Sequence, residues 1–272
     1  MQGKKYTDEF LEEVHSYMIK TNLGISAVAK HFKTDRGTLA KRLKEKYSDV
    51  ISRKDGKLEV DSNYFKDINN ERKAYWLGFF TADGYVSDNN RIELCLAEID
   101  KKHVELFKHD IKSNHKISLK KTTINNKTFN AYRINITDKE LANDLKKLGL
   151  NNKKSYTASI PKINNELMPH YIRGLFDGDG CVTKINYGRG LKVVICTTAS
   201  EQMVDDITQY IKKELNIDIK YHYSNNDNII DLCIYKQEDV KKFYNWIYKN
   251  ATVYLNRKYK KFAVLRQDRE KS

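Results

Sequence analysis

Apolar residues recur at helical spacing near the start of the chain. Phe10, Leu11, Val14 and Met18 follow Thr7, a helix-capping residue type, and Asn22-Leu23-Gly24 ends the run. Ser26 opens a short second helix with Ala27, Val28, Ala29 and Phe32, Lys33-Thr34 makes a tight turn, and Asp35 caps a third helix through Tyr47. Residues 1–50 therefore read as a helical module, and polar residues 51–65, with Gly56 among them, as a linker. From about Asn70 the pattern changes and one arrangement is written twice. Each copy opens on an apolar helix, closing at Asp83 or Asp179. A hairpin follows: Tyr85-Val86 turns into the alternating Ile92, Leu94 and Leu96, and Cys181-Val182-Thr183 turns through Gly188-Arg189-Gly190 into Leu191 to Thr197. Then come a helix (Lys101 to Ile111; Glu201 to Leu215), a second hairpin turning at Asn125-Asn126 or Asn225 to Asn228, and a closing helix (Lys139 to Leu148; Gln237 to Lys249). The fold class predicted is α+β, with αββαββα repeats over 66–168 and 169–272 and one helix of each at a pseudo-twofold axis.

The opening helices are near-copies in residue type as well as in pattern: Tyr75-Trp76-Leu77-Gly78-Phe79-Phe80-Thr81-Ala82-Asp83-Gly84 and Tyr171-Ile172-Arg173-Gly174-Leu175-Phe176-Asp177-Gly178-Asp179-Gly180. Glycine inside a helix costs about 1 kcal/mol relative to alanine, so Gly78 and Gly174 need a compensating reason. Close approach of two helix backbones supplies it, and such packing brings Asp83 and Asp179 together at one end. That end carries the negative pole of both helix dipoles, so two carboxylates there repel unless a divalent cation is bound. Carboxylates with water and phosphate oxygens are the usual surroundings of Mg²⁺. Such a site suits phosphodiester hydrolysis, and acids related by a pseudo-dyad suit two cuts, one on each strand.

Charge points to the same partner. The chain of 272 residues has 50 Lys and Arg against 36 Asp and Glu, a net charge of +14, which favours a polyanion. The three-helix pattern resembles helix-turn-helix DNA-binding domains, whose last helix lies in the major groove; Thr38, Lys41 and Arg42 are expected nearest the base edges, while Lys33 replaces the small turn residue common there. No run approaches the roughly 20 apolar residues of a membrane span, and the polar start is no signal peptide, so a cytoplasmic, nucleoid-associated protein is expected. Cys95, Cys181, Cys196 and Cys233 form no CxxC pair and the seven His show no zinc-ligand spacing, so the cysteines read as strand or core residues.

The paired motifs resemble those of the LAGLIDADG homing endonucleases in their single-chain form, over about residues 64–265. The resemblance implies a saddle of two antiparallel sheets gripping double-stranded DNA, the motif helices as central interface, and a staggered cut across the minor groove. It makes Asp83 and Asp179 the metal ligands, with Mg²⁺ as cofactor. The sixth motif position, Thr81 in one copy and Asp177 in the other, departs from an acidic pair. A basic residue near the cleft is implied in each half: Lys153 or Lys154 in the first, Lys258 in the second. Glu98 and Thr198, at the ends of equivalent strands, are candidates for positioning water. With Tyr132, Ile134 and Ile136 inward, strand alternation turns Arg133, Asn135 and Thr137 towards the groove, joined by Lys120 and Thr122. The second half offers Lys192, Lys220, His222 and Asp231, with Lys184, Tyr187 and Arg189 in its first hairpin. Both half-sites lie in one chain, so a monomer with an asymmetric target is expected. The competing reading keeps the scaffold without the chemistry, as a transcriptional regulator or an intron maturase that folds structured RNA.

Overall fold

Local capping sets the first elements. Thr7 Oγ1 accepts from the Phe10 amide at 3.3 Å ahead of α1 (Asp8–Thr21). Helix α2 (Ile25–His31) begins one residue earlier than Ser26, with Gly24 as an N-cap that has no side chain to offer. Asp35 Oδ1 accepts from the Thr38 amide at 2.8 Å and starts α3 (Arg36–Lys46). The computed structural model describes residues 6–21, 23–47, 58–124, 127–151, 159–185, 190–223 and 229–263, which form two units, Met1–Leu58 and Glu59–Ser272. The first is built on Leu11, Val14, Val28, Ala29, Leu39 and Leu43, flanked by Phe10 and Phe32. Lys33 sits between α2 and α3 at φ 51°, a left-handed conformation that favours glycine, so the turn keeps its geometry despite the large residue.

The second unit carries the repeat. Its first copy runs α4 (Glu71–Asp83), β1 (Gly84–Val86), β2 (Arg91–Ala97), a 3₁₀ turn (Glu98–Asp100), α5 (Lys101–Asp110), β3 (Ile117–Ile124), β4 (Lys127–Thr137) and α6 (Lys139–Lys147). Its second runs α7 (Met168–Asp179), β5 (Cys181–Ile185), β6 (Gly190–Thr198), α8 (Glu201–Leu215), β7 (Lys220–Tyr223), β8 (Ile230–Ile234) and α9 (Gln237–Tyr248), followed by a short α10 (Asn256–Lys261) that the apolar pattern did not predict. The strands form two four-stranded antiparallel sheets with the same order, β1-β2-β4-β3 and β5-β6-β8-β7.

Pairing Leu94 with Ile134 and Ile92 with Ile136 puts the apolar residues of both strands on the helix-covered side. Val193 against Ile234 does the same in the second sheet. The linker read over 51–65 ends sooner than expected. Tyr64 and Phe65 are buried in the second unit's core, and the Asp61 amide donates to the Ile111 carbonyl at 2.8 Å, so residues from 59 onward belong to that unit. Two aromatic side chains outweigh the polar composition around them.

Candidate active site at the paired helix ends

Helices α4 and α7 cross with no space between their backbones. A Cβ built on Gly78 would overlap the Tyr171 carbonyl oxygen, and one on Gly174 would overlap that of Tyr75. Near the C-terminal ends, a Cβ on Gly178 would collide with that of Ala82 and stand 3.6 Å from the Asp83 amide nitrogen, so the two ends are adjacent. Asp83 and Asp179 close these helices and are exposed. The glycines after them are not left-handed caps: Gly84 has φ −77° and Gly180 φ −75°. They are small because a Cβ would strike the Phe80 ring in one copy and the Val194 and Ile195 carbonyls in the other.

Below the acids, the helices exchange a related pair of hydrogen bonds. Tyr171 Oη donates to Thr81 Oγ1 at 3.3 Å, and Tyr75 Oη donates to Asp177 Oδ2 at 2.9 Å. The departure at the sixth motif position is thus a change of acceptor inside the interface. Asp177 Oδ2 also accepts from the Leu255 amide at 2.7 Å, and burial pushes its carboxyl up to about 6. On the other side of Tyr75, His103 Nε2 lies 2.7 Å from Oη, and burial lowers its pKa to about 4. The single phenol proton goes to Asp177, so the neutral imidazole carries its proton on Nε2 and donates to Tyr75.

These two groups titrate in opposite senses. His103 has a folded pKa below its usual 6.5, so its contribution to stability is lost as pH falls towards 4; Asp177 has a raised one, so its burial cost disappears as pH falls below 6. Each amounts to roughly 3 kcal/mol at most, and they largely cancel. Urea midpoints from pH 7 to 4 are therefore expected to fall more steeply with acid in Asp177→Asn than in the parent, and less steeply in His103→Gln. Parallel pH curves in all three would contradict the assignment.

Two cations hold the interface from within. Arg173, where the other copy has Leu77, is fully buried and donates to the carbonyls of Val253 (2.9 Å) and Ile247 (2.6 Å) and to Glu71 Oε1 (2.6 Å). Lys258 is 3 % exposed, and its ammonium donates to the Phe176 and Gly178 carbonyls at 2.9 and 2.8 Å, satisfying the end of α7. Burial lowers its pKa to about 8 against the opposing pull of Asp177, Asp83 and Asp179. It is therefore a buried lysine under the acids with one N–H left over, rather than a side chain in an open cleft. Lys153 and Lys154 lie outside the described residues.

Of the water-positioning candidates, exposed Glu98 accepts from Asn130 Nδ2 at 3.1 Å, and Thr198 Oγ1 accepts from the Ser200 amide at 3.1 Å. Arg133, Asn135, Thr137 and Lys120 share the sheet face away from the core, and Thr122 falls in the same register opposite Phe129. Lys192, Lys220, His222 and Asp231 do likewise in the second sheet, where His222 Nε2 lies 2.6 Å from Tyr235 Oη and the Lys192 ammonium sits over the Tyr235 ring. Lys184, expected in the first loop, lies in β5 instead, exposed and paired with Leu191, while Thr183 stands opposite Lys192. Tyr187 and Arg189 lie outside the described residues. On α3, Thr38, Lys41 and Arg42 are exposed, but the Thr38 hydroxyl is engaged by Asp35 at 2.8 Å.

Two exposed carboxylates at the negative ends of adjacent helices are hard oxygen donors and suit a divalent cation such as Mg²⁺. Among the described residues no group of three or more His, Cys, Asp and Glu stands together as a metal cluster, so a cation there would complete its shell with other oxygens. No helix of the described residues is long and apolar enough to cross a membrane.

Comparisons agree with this fold. The sequence pattern of the family described as LAGLIDADG-like domain matches residues 166–248. The homing endonuclease I-WcaI, solved bound to its DNA recognition sequence, superposes with a TM-score of 0.54 at 14 % identity, over 72 % of this chain and 90 % of that one. A replication factor C small subunit from Methanocaldococcus jannaschii is 28 % identical over 143 residues, 51 % of this chain and 7 % of that protein's length. Residues 166–248 match the LAGLIDADG-like domain family, and the chain has the LAGLIDADG homing endonuclease fold.

Proposed function

We propose that the protein is a sequence-specific endonuclease that hydrolyses both strands of double-stranded DNA. The observation that carries this reading is the adjacency of the helix ends that carry Asp83 and Asp179, on helices packed too tightly for any residue but glycine at the crossing. When bound there, Mg²⁺ would supply positive charge against the phosphate and a water more acidic than bulk. Asp83 and Asp179 would hold it, and Lys258 adds positive charge beneath them. Lys153 or Lys154 is proposed for the first half, and Glu98 and Thr198 for ordering water. The outward faces of the sheets (Lys120, Thr122, Arg133 and Asn135; Lys192, Lys220 and His222) would lie along the grooves. The three-helix unit would act as a helix-turn-helix that lengthens the site through Lys41 and Arg42. A monomer suffices for an asymmetric target, and a soluble, nucleoid-associated location fits that role.

The basic face of α3 also suits a DNA-binding regulator on the same scaffold. A pure binder, however, gains nothing from two acids at the negative helix ends. The deciding experiment selects a bound duplex from a randomised library, clones it into a plasmid, and incubates it with the protein and Mg²⁺ or EDTA. Linear product with Mg²⁺ alone supports the endonuclease; binding without cleavage supports the regulator. Binding to the selected duplex is expected to weaken by about a thousandfold between 50 and 200 mM salt, as for a protein releasing counterions from roughly six or more phosphates. A flat salt response, measured by fluorescence anisotropy, would contradict groove binding.

A further inference from the structure

Residues 251–261 follow the second repeat in sequence but are anchored on both repeats. Glu71, in the first turn of α4, accepts from the Thr252 amide and hydroxyl at 2.6 and 2.7 Å and from the Val253 amide at 3.3 Å. Further on, Arg257 Nε lies 3.0 Å from both carboxylate oxygens of Asp100, and its Nη2 is 2.9 Å from Oδ2. The neighbouring Lys258 is directed to the other side, onto the end of α7. Both residues ride on α10, a six-residue helix whose N-cap, Leu255, offers no side-chain hydrogen bond. A helix this short has no stability of its own, so its orientation comes from outside: from these anchors, from Asp177 on the Leu255 amide, and from the buried Val253, Leu255 and Phe262.

Asp100 differs from its counterpart in the second repeat. It stands at the N-cap of α5, and aspartate is among the best capping residues, yet it makes no cap hydrogen bond. At the equivalent place in the second repeat Ser200 caps α8 in the ordinary way, accepting from the Met203 amide at 3.3 Å. Asp100 closes the 3₁₀ turn with φ −103° and ψ 14°, is 7 % exposed, and pairs its carboxylate with Arg257.

We propose that Asp100 and Arg257 form a positioning latch between the repeats, which fixes the 251–261 strap and so sets Lys258 against the end of α7. The latch makes Lys258's half of the cut depend on the first repeat's 3₁₀ turn, a consequence that rests on the endonuclease reading. Asp100→Ser removes the carboxylate from Arg257 and leaves a side chain of the type that the second repeat has at the equivalent position.

The test uses the full chain with Arg257→Gln, Asp100→Ser and the charge-exchanged double variant Asp100→Arg/Arg257→Asp. Hydrogen exchange at the amides of Leu255, Lys258 and Tyr259 is expected to speed up about tenfold or more in both single variants and to recover in the double, with α7 unchanged. On the selected duplex, end-labelled on each strand and incubated with Mg²⁺, cutting of one strand is expected to slow about tenfold while binding stays within about twofold, so nicked product accumulates. Unchanged strap exchange in both single variants overturns the latch. Equal slowing of both strands overturns its link to Lys258, since a general loss of structure would act on both. If the parent protein binds the duplex but cuts neither strand, the endonuclease reading fails, and hydrogen exchange still decides the latch.

Discussion

Asp83→Asn and Asp179→Asn are each expected to abolish double-strand cutting while the protein still binds its duplex. Asparagine keeps the size of the side chain and one oxygen but removes the charge that attracts a cation. A metal contributes several kcal/mol to charge stabilisation in such reactions, so a loss of at least about a thousandfold follows. Stability should move the other way. Each carboxylate sits at the negative pole of its own helix and beside that of its neighbour, so removing one relieves repulsion worth about 0.3–1 kcal/mol. The variants are therefore expected to melt at or slightly above the parent temperature without metal. Added Mg²⁺ should raise the melting temperature of the parent and raise that of either variant less, because only the folded parent offers both ligands. Cutting by both variants at the parent rate would remove the proposed site. Loss of cutting together with a fall in melting temperature would show instead that the acids hold the fold.

The repeat was legible because its signals are periodic and local. Apolar runs closing on Asp-Gly mark α4 and α7, alternation marks the strands, and Arg133, Asn135 and Lys120 fall on the face that alternation assigns. What escaped depends on neighbours distant in sequence. No element is predicted over residues 251–262, where three carboxylates from elsewhere, Glu71, Asp100 and Asp177, hold backbone and side chains. Arg173 carried a readable clue, a cation in a motif position where the other copy has leucine, but only the fold supplies the carbonyls around it. The family resemblance marks Lys258 only as a basic residue near the cleft; its burial and its two carbonyl partners follow from the strap and have no sequence pattern. Lys184 reads as part of a loop because β5 runs on to Ile185, beyond the apolar residues that mark its start.

Gly174→Ala, and equally Gly78→Ala, sets two effects of opposite sign against each other. Helix propensity favours alanine by about 1 kcal/mol, so on an exposed helix the substitution would stabilise. Here the added methyl group meets a backbone carbonyl oxygen of the facing helix and, close behind it, further backbone atoms of that helix: the Phe79 amide nitrogen opposite Gly174 and the Leu175 amide nitrogen opposite Gly78. Backbone cannot rotate away as a flexible side chain can, so the two helices must separate along the crossing. Tyr75, Tyr171, Phe79 and Leu175 are all at most 1 % exposed and pack at this interface, so separation loosens several large contacts at once. Overpacking of this kind costs about 1–3 kcal/mol in ordinary cores and more where backbone must move. The clash therefore exceeds the propensity gain, and a net loss of about 3 kcal/mol is expected, read as a lower urea midpoint. In the Gly78→Ala/Gly174→Ala double variant the costs should fall short of additive, because one separation relieves both clashes. A single variant as stable as the parent would mean that the backbones do not meet there. Cutting should decline with the same substitutions, because the crossing that excludes a methyl group is also what brings Asp83 and Asp179 to one end.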